Sequence, residues 1–377
     1  MKKIFLVFIC FLFINVKAEE IKLAENAKSA ILIESSTGEI LFEKNSHEKL
    51  HPASMTKMMS MLLIIESIDK GSIKWEDEVI VSPNASSMGG SQILLETGEK
   101  MSVRDLFKGV AVASGNDAVV ALAEKVAGTE EGFVLLMNKK AKELGLKDTH
   151  FVNCHGIDET DHYSSAYDMS LIAKELSKHE EIFKFSSIYE DYLRKDTDRK
   201  FWLVNTNKLV RFYNGADGFK TGYTNLAGYC LTATAKREGM RLIAVVMGEE
   251  DNNVRNSEVT KMLDYGFANY GLINVLSKDS IIDNVKVIKG KVNNIDIIPL
   301  EEVKILYKKI NDKPNITYEL NIKELEAPLK KGNKIGKLKI SKDNNYFKTI
   351  NVTVLENVDK INIFEQFIKN LKQIFMG

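Results

Sequence analysis

The most constraining stretch of this chain is residues 51–57 (HPASMTK), which lead directly into the apolar residues 58–65 (MMSMLLII). A run that is apolar on nearly every face is typical of a helix buried on all sides. Residues three apart share one helix face, so Ser54 and Lys57 are expected side by side. The proline ahead of them favours a helix N-terminus, where the dipole stabilises negative charge. The sequence therefore predicts a serine and a lysine at the mouth of a core helix.

The Ser54–Lys57 pair has two interpretations. A serine hydroxyl is a weak nucleophile until a base removes its proton, and a partly desolvated lysine amine can be that base. Serine is also a preferred helix N-cap, and a lysine beside such a cap is commonly solvated. The pair by itself leaves both interpretations open.

The first eighteen residues have the pattern of a secretory signal. Lys2 and Lys3 precede an apolar stretch over residues 4–16, and the small residues Val16 and Ala18 have the spacing of a signal-peptidase cleavage site. The stretch is short for a membrane span, and the bulky residue before Cys10 argues against a lipid anchor. We expect a signal peptide over 1–18 and export across the cytoplasmic membrane to a periplasmic or extracytoplasmic location. A retained N-terminal anchor helix is the alternative.

The composition argues against nucleic-acid binding, a disulfide and a metal site. Basic and acidic residues each number 52, so the formal net charge is zero and nucleic acid is not an expected partner. After export the chain keeps Cys154 and Cys230, whose apolar neighbours favour two small buried side chains over a disulfide. His155 and His162 lie in an irregular stretch without the ligand spacing of a metal site. We expect neither a metal nor another cofactor.

Hydrophobic periodicity divides the chain into elements. Strands are predicted over 29–35, 39–44, 79–81, 218–224, 229–235 and 241–247. Helices are predicted over 103–113, 118–127, 130–144, 167–178 and 256–270, the first opened by Ser102 as N-cap. Residues 276–355 are rich in Val, Ile and Lys with frequent turns, which predicts a separate small β domain.

The last residues, 356–377, return to a helical period. Their apolar face includes Phe364 and Phe367, with Lys360, Lys369 and Lys372 off that face. A terminal amphipathic helix of this kind suits a membrane interface. Packing on the β domain or pairing with another helix is the alternative.

Two further triplets add to the Ser54–Lys57 pair. Ser114-Gly115-Asn116 lies in a turn between two predicted helices, which places a hydroxyl and an amide where they can face a site. Lys220-Thr221-Gly222 lies on a predicted strand. The glycine lets a ligand approach the backbone closely, while the lysine and threonine offer a cation and a hydroxyl to a carboxylate.

In this order the three elements resemble the signature of serine β-lactamases and penicillin-binding proteins. The extended stretches 52–57, 113–118 and 217–224 are most similar to the low-molecular-mass penicillin-binding proteins that are D-alanyl-D-alanine carboxypeptidases, and the resemblance covers about residues 27–270. It implies an α+β fold of the β-lactamase/transpeptidase type, an antiparallel sheet flanked by helices plus a helical subdomain. This catalytic domain would span 19–271, followed by the small all-β domain over 276–355 and the amphipathic helix.

The resemblance also implies catalytic roles. Ser54 would be the nucleophile that forms an acyl-enzyme, and Lys57 the general base, kept neutral by burial and by the field of Lys220. Ser114 would relay a proton to the leaving D-alanine. Asn116 would bind the substrate amide.

Substrate contacts follow from the same resemblance. Lys220 and Thr221 would hold the terminal carboxylate beside Gly222. The N–H groups of Ser54 and Tyr223 would form the oxyanion hole. Arg255 and Lys208 match positions where the family carries a cation near the pocket, and their alternative is ordinary surface charge.

The implied function is removal of the terminal D-alanine from peptidoglycan stem pentapeptides, with β-lactam antibiotics as covalent inhibitors and the membrane surface as a partner. A D,D-endopeptidase acting on cross-links uses the same chemistry. The interpretation as a β-lactamase is weakened, because Glu159 and the nearby acids lack the Glu-x-x-Leu-Asn context of a class A deacylating glutamate. A non-catalytic wall-binding scaffold has no chemical reason to keep all the motif residues.

Overall fold

The structure is a computed structural model that describes residues 22–365 and residue 367. The predicted signal peptide over 1–18 and half of the predicted terminal helix, residues 366 and 368–377, lie outside these residues.

The strands of the N-terminal two thirds are β1 (Ser29–Glu34), β2 (Ile40–Lys44), β3 (Glu78–Ile80), β4 (Lys100–Ser102), β5 (Glu190–Leu193), β6 (Phe201–Val204), β7 (Ala216–Thr224), β8 (Gly228–Arg237) and β9 (Met240–Glu249). A five-stranded antiparallel sheet has the order β2-β1-β9-β8-β7, so β7 is an edge strand. β3 pairs with β4, and β5 pairs with β6. The β5–β6 ribbon has no counterpart among the predicted elements, because charged residues around its connection obscure the apolar alternation.

The helices are α1 (Lys57–Asp69), α2 (Pro83–Ser86), α3 (Val103–Ala113), α4 (Asn116–Ala127), α5 (Glu130–Glu143), α6 (Ala166–Leu176), α7 (Phe183–Ser186), α8 (Leu209–Phe212) and α9 (Asn252–Asn269). The prediction for α3 is confirmed, and the Ser102 side chain accepts a hydrogen bond from the N–H of Asp105 as its N-cap. α9 begins four residues before its predicted start, because the carboxylate of Asp251 accepts hydrogen bonds from two N–H groups of the first turn.

The sheet separates two apolar cores. Successive side chains of a strand point to opposite faces, and on β1 Ile31 and Ile33 pack with α1, α3, α4 and α6, whereas Ala30 and Leu32 pack with α9. Residues 58–65 of α1 are all buried, which confirms the predicted core helix. Cys154 and Cys230 are buried free thiols, as predicted.

The remaining strands are β10 (Tyr270–Leu276), β11 (Asp283–Ile288), β12 (Asn294–Pro299), β13 (Val303–Lys308), β14 (Ile316–Ile322), β15 (Leu325–Glu326), β16 (Gly336–Lys342) and β17 (Asn345–Val354). A six-stranded sheet has the order β14-β16-β17-β12-β11-β15, and β10 pairs with β13. These strands enclose a third core. β10 follows α9 without a linker, and Leu306 of its partner strand β13 packs in the core that α9 shares with the five-stranded sheet.

The predicted helix over 356–377 is wrong at its start. Val358 and Lys360 form β-bridges with Leu329 and Gly290, so this segment belongs to the β region. The helix begins at residue 363, where Asn362 and Glu365 exchange side chain–backbone hydrogen bonds as a capping box. None of the helices within residues 22–365 is both long and apolar enough to cross a membrane.

Candidate active site

Ser54 lies on a tight turn and not on the α-helix that its spacing suggests. Residues Ala53–Thr56 form a 3-10 helix, and α1 begins only at Lys57. Ala53 has a φ of +47°, a left-handed conformation that is unfavourable for a residue with a β-carbon. Gly156 packs against this turn so closely that a β-carbon there would overlap the carbonyl of Ala53. The turn thus presents the half-buried Ser54 hydroxyl away from the rigid core helix.

Lys57 is fully buried, yet its amine contacts the serine. Its Nζ donates to Oγ of Ser54 at 2.9 Å and to the carbonyl oxygen of His155 at 2.7 Å. Burial lowers the pKa of Lys57 to about 7, although the neighbouring Cys154 and Asp117 act in the opposite direction. An amine with this pKa exists as the free base in a large fraction of molecules near neutral pH, which general-base catalysis requires.

The loop over residues 153–157 contributes to the site through its backbone. The Asn153 amide organises it by accepting from the N–H of Gly156 at 2.7 Å and donating to the carbonyl of Ile157 at 2.9 Å. Burial lowers the pKa of His155 to about 3, so its ring is neutral and its carbonyl, not its imidazole, contacts Lys57. The sequence motifs do not indicate the role of this loop, because any residue type can supply a backbone carbonyl.

His162 contacts residues 53–56, the nucleophile turn, through a side-chain hydrogen bond. Its Nδ1 accepts the N–H of Val152, so Nε2 carries the proton that is donated to Oγ1 of Thr56 at 2.8 Å. Burial lowers the pKa of His162 to about 4, which is consistent with a neutral ring. Within residues 22–365, no group of three or more His, Cys, Asp or Glu side chains is arranged to hold a metal ion.

Ser114 and Asn116 lie where α3 ends and α4 begins. Ser114 takes a left-handed conformation with a φ of +65°, which ends α3 and turns the chain. The Oγ atom of Ser114 and the Oδ1 atom of Asn116 are buried and have no hydrogen-bond partner among the residues that the structure describes. The amide nitrogen of Asn116 donates to the carbonyl of Gly89 at 2.7 Å. Buried polar atoms without partners are costly, so these two indicate groups that a ligand satisfies.

Edge strand β7 brings the third motif to the nucleophile turn. A β-carbon on Gly222 would lie 2.7 Å from the carbonyl oxygen of Pro52 and 3.3 Å from the backbone nitrogen of Ser54. Lys220 is buried, and its pKa is lowered by burial and then by the charges of Lys57 and Arg255. Thr221 donates its hydroxyl hydrogen to Thr206 at 2.8 Å.

Tyr223 follows on the same strand with an exposed side chain. The residue is 53% exposed, and its ring lies 4.3 Å, centroid to centroid, from the ring of Tyr229. This exposed side chain directly follows Gly222, which lies against the turn that carries Ser54.

The two outlying cations differ in their placement. Arg255 is buried in the first turn of α9 and points to the carbonyl of Cys230 on β8, and its charge acts on Lys220. Lys208 is half-buried before α8, with its ammonium 5.3 Å from the ring centroid of Tyr189. The structure thus brings Arg255 into the electrostatic surroundings of the site, and it places the Lys208 ammonium on an aromatic ring.

Three distant stretches of the chain meet at this site. They contribute the serine and buried lysine of the first motif, the unpartnered hydroxyl and amide oxygens of the second, and the buried lysine of the third. A family model described as D-alanyl-D-alanine carboxypeptidase matches residues 15–251, and one described as penicillin-binding protein 5, C-terminal domain, matches residues 270–360. The chain belongs to the D-alanyl-D-alanine carboxypeptidase family. The family resemblance and the α+β fold class predicted from the motifs are thereby confirmed.

Two of the similar proteins cover about nine tenths of this chain, and a third covers two thirds of it. D-alanyl-D-alanine carboxypeptidase DacF of Bacillus subtilis is 52% identical over 349 residues, which is 92% of this chain and 90% of the relative. Penicillin-binding protein 5 from Haemophilus influenzae superposes with a TM-score of 0.75 at 33% identity, covering 91% of this chain and all of that one. Penicillin-binding protein D2 from Listeria monocytogenes, in an ampicillin-bound form, superposes at 0.59 with 30% identity over 66% of this chain and 100% of its own.

Proposed function

We propose that this protein is a serine-type carboxypeptidase that removes the terminal D-alanine from peptidoglycan stem pentapeptides through an acyl-enzyme on Ser54. The observation that carries the proposal is the 2.9 Å hydrogen bond between Lys57 Nζ and Ser54 Oγ. It joins a nucleophile to a base whose pKa is about 7.

Acylation follows from this geometry. Neutral Lys57 takes the proton of Ser54, whose Oγ attacks the carbonyl carbon between the two D-alanines. The backbone N–H groups of Ser54 and Tyr223 stabilise the oxyanion, a contribution of about 2.7–4 kcal/mol per donor in comparable sites. The C–N bond then breaks, and the leaving amine receives a proton through Ser114. Water later attacks the ester and releases the shortened peptide.

The substrate is held on both sides of the reacting bond. The unpartnered Oδ1 of Asn116 accepts an amide N–H of the stem peptide. Lys220 and Thr221 bind the terminal carboxylate, and this anion raises the pKa of Lys220 again and keeps the bound ion pair charged. Arg255 adds to the positive field from behind β8. Lys208, which lies on Tyr189, has the weakest support for a role in binding.

β-Lactams react with the same serine, and the resulting adduct persists. No acid near Glu159 has the sequence context of the class A deacylating glutamate. The lack of that glutamate favours a carboxypeptidase over a β-lactamase, and we expect the protein to be inhibited covalently. Cleavage of cross-links by the same chemistry remains a second activity to measure.

The proposed location is the outer face of the cytoplasmic membrane. The signal-like N-terminus supports export, and the capped terminal helix supports peripheral attachment. Ile363, Phe364 and Phe367 are 92%, 73% and 60% exposed, an apolar face close to the lysines of the β region. An exposed apolar face of this kind suits binding at the membrane surface, between the lipid headgroups and the acyl chains.

The decisive experiment is intact-mass spectrometry of the exported protein after exposure to benzylpenicillin, with Ser54→Ala in parallel and D-alanine release measured on a peptide ending in D-Ala-D-Ala. A persistent adduct on the wild type alone, together with D-alanine release, supports the proposal. A transient adduct with hydrolysed drug favours a β-lactamase. No adduct and no release favour the scaffold.

A further inference from the structure

The 89–95 loop lies against the Ser114-Gly115-Asn116 turn and is held there from its inner side. The backbone N–H of Asn116 donates to the carbonyl of Ser91 at 2.7 Å, and its side chain donates to Gly89 at the same distance. The carboxylate of Asp117 accepts two N–H groups of the loop at about 3.0 Å. The position of the Asn116 amide therefore depends on the position of this loop.

The outer side of the same loop is held by two arginines from the β5–β6 connection. Arg194 donates from Nη1 to the carbonyl of Ile93 at 3.0 Å and from Nη2 to the carbonyl of Leu94 at 3.4 Å. Arg199 donates to the same Leu94 carbonyl at 2.9 Å. The two guanidinium groups thus bind two consecutive carbonyls of the loop.

Glu99 fixes both arginines. Its two carboxylate oxygens accept from Nε of Arg194 at 2.6 Å and from Nη1 of Arg199 at 3.0 Å. The Arg194 side chain is only 8% exposed and that of Glu99 only 13%. Burial alone would raise the pKa of the Glu99 carboxyl, but the two arginines hold it below its ordinary value.

The loop needs such support because its backbone is unfavourable. Leu94 has a φ of +56°, which a side chain with a β-carbon rarely adopts, and that side chain is 57% exposed. An exposed leucine gains little packing to offset this conformation. A strained backbone conformation persists where surrounding contacts hold it in place. Here the hydrogen bonds from Arg194 and Arg199 to the loop carbonyls hold it.

We propose that Arg194, supported by Arg199 and Glu99, is a positioning residue that holds the 89–95 loop and thereby aims the Asn116 amide at the substrate. This inference rests on the proposed function, because it assigns Asn116 to substrate binding. Arg194 itself touches no reacting atom and acts through the loop. The 101-residue separation between Arg194 and Ile93 makes the contact purely tertiary.

The test compares Arg194→Gln and Arg194→Lys with the wild type in the full chain. We expect acylation by benzylpenicillin to fall about ten- to a hundredfold in Arg194→Gln, the size of effect that small misplacements produce. KM for a D-Ala-D-Ala peptide should rise more than kcat falls, and hydrogen exchange should accelerate in residues 89–95. Arg194→Lys should recover only part of the acylation rate. An ammonium can keep the ion pair with Glu99, but it cannot donate to both loop carbonyls as the guanidinium does.

The matched control is Arg104→Gln, which removes another arginine–glutamate pair, to Glu76 at 2.7 Å, on the exposed surface. It should leave both acylation and exchange of the loop unchanged. Wild-type acylation in Arg194→Gln, or unchanged exchange of residues 89–95, would overturn the proposal. So would a loss accompanied by a displaced pH profile, which would indicate a disturbed Lys57. A wild type that is acylated but releases no D-alanine would refute the proposed function, while the loop measurements would still decide this inference.

Discussion

The amine of Lys57 lies 2.9 Å from the hydroxyl of Ser54, yet the two residues belong to different backbone elements. The lysine opens a fully buried helix, whereas the serine lies on the preceding 3-10 turn. The base is thereby fixed in the core, while the turn places the nucleophile at the edge of β7. The 153–157 loop supports both residues, because Gly156 packs against the serine's turn while the His155 carbonyl accepts from the lysine.

Acylation should depend on the protonation of Lys57. Since its pKa is about 7, the rate should rise about tenfold per pH unit at lower pH and level off above neutrality. Benzylpenicillin acylation measured from pH 5 to 9 reports this limb. Lys57→Ala should abolish acylation, whereas Lys70→Ala, at the solvent-exposed end of the same helix, should leave the profile unchanged. A profile flat through pH 7 would contradict the assignment of the base.

The same lysine should lower stability at acidic and neutral pH. Its pKa falls from 10.5 unfolded to about 7 folded, so the unfolded state binds more protons between these values and stability increases with pH there. The loss of folding stability caused by burying Lys57 is full below pH 7 and decreases to zero as the pH approaches 10.5. Lys57→Met should therefore raise Tm more at pH 6 than at pH 9. Thermal unfolding at both values measures this, and an equal gain at both would show that Lys57 ionisation is not coupled to folding.

Gly222→Ala should separate the nucleophile turn from β7. The added methyl would stand 2.7 Å from the Pro52 carbonyl and 3.1 Å from the β-carbon of Ala53, so either the strand or the turn must move. We expect acylation to drop at least a hundredfold with a stability loss of about 1–3 kcal/mol. Acylation kinetics and urea unfolding measure the two effects. Normal acylation would show that the close approach is not required.

Ser114→Ala should affect activity without affecting stability. The Oγ atom of Ser114 is buried and has no partner within residues 22–365, so its removal breaks no hydrogen bond there. We expect D-alanine release to fall by roughly two to four orders of magnitude, as for loss of a proton-transfer group, at unchanged Tm. Ser60→Ala is the comparison, because its hydroxyl donates to the Cys154 carbonyl at 2.7 Å and its loss should cost about 1–3 kcal/mol. A large Tm decrease in Ser114→Ala would mean that its hydroxyl is structural.

Truncation after Ile361 should release the protein from membranes without unfolding it. The cut keeps the bridges of Val358 and Lys360 to the β region and removes the exposed apolar helix. Sedimentation with vesicles of mixed anionic lipid should be lost, while acylation by benzylpenicillin is unchanged. Phe364→Asp in the full chain should weaken sedimentation in the same direction. A truncated protein that still sediments would place the attachment elsewhere.

Local signals predicted much of this fold because they act within one turn of chain. Ser102 caps α3, and its helix ends at Ala113 as predicted. The apolar residues 58–65 predicted the core helix for the same reason, since burial on all faces leaves no polar stripe. The start of α9 was missed because the capping carboxylate of Asp251 follows a strand that ends in acidic residues.

The sequence by itself determined which chemical groups this protein carries: a serine and a lysine three residues apart, a Ser-Gly-Asn turn and a Lys-Thr-Gly strand. Only the tertiary structure decided that a carbonyl 98 residues away contacts Lys57, that Gly222 lies against the nucleophile turn, and that Arg194 fixes the loop behind Asn116. Hydrogen bonds to backbone carbonyls carry no residue-type signature, and desolvation depends on neighbours from the whole chain. Their partners become visible only when the chain is folded.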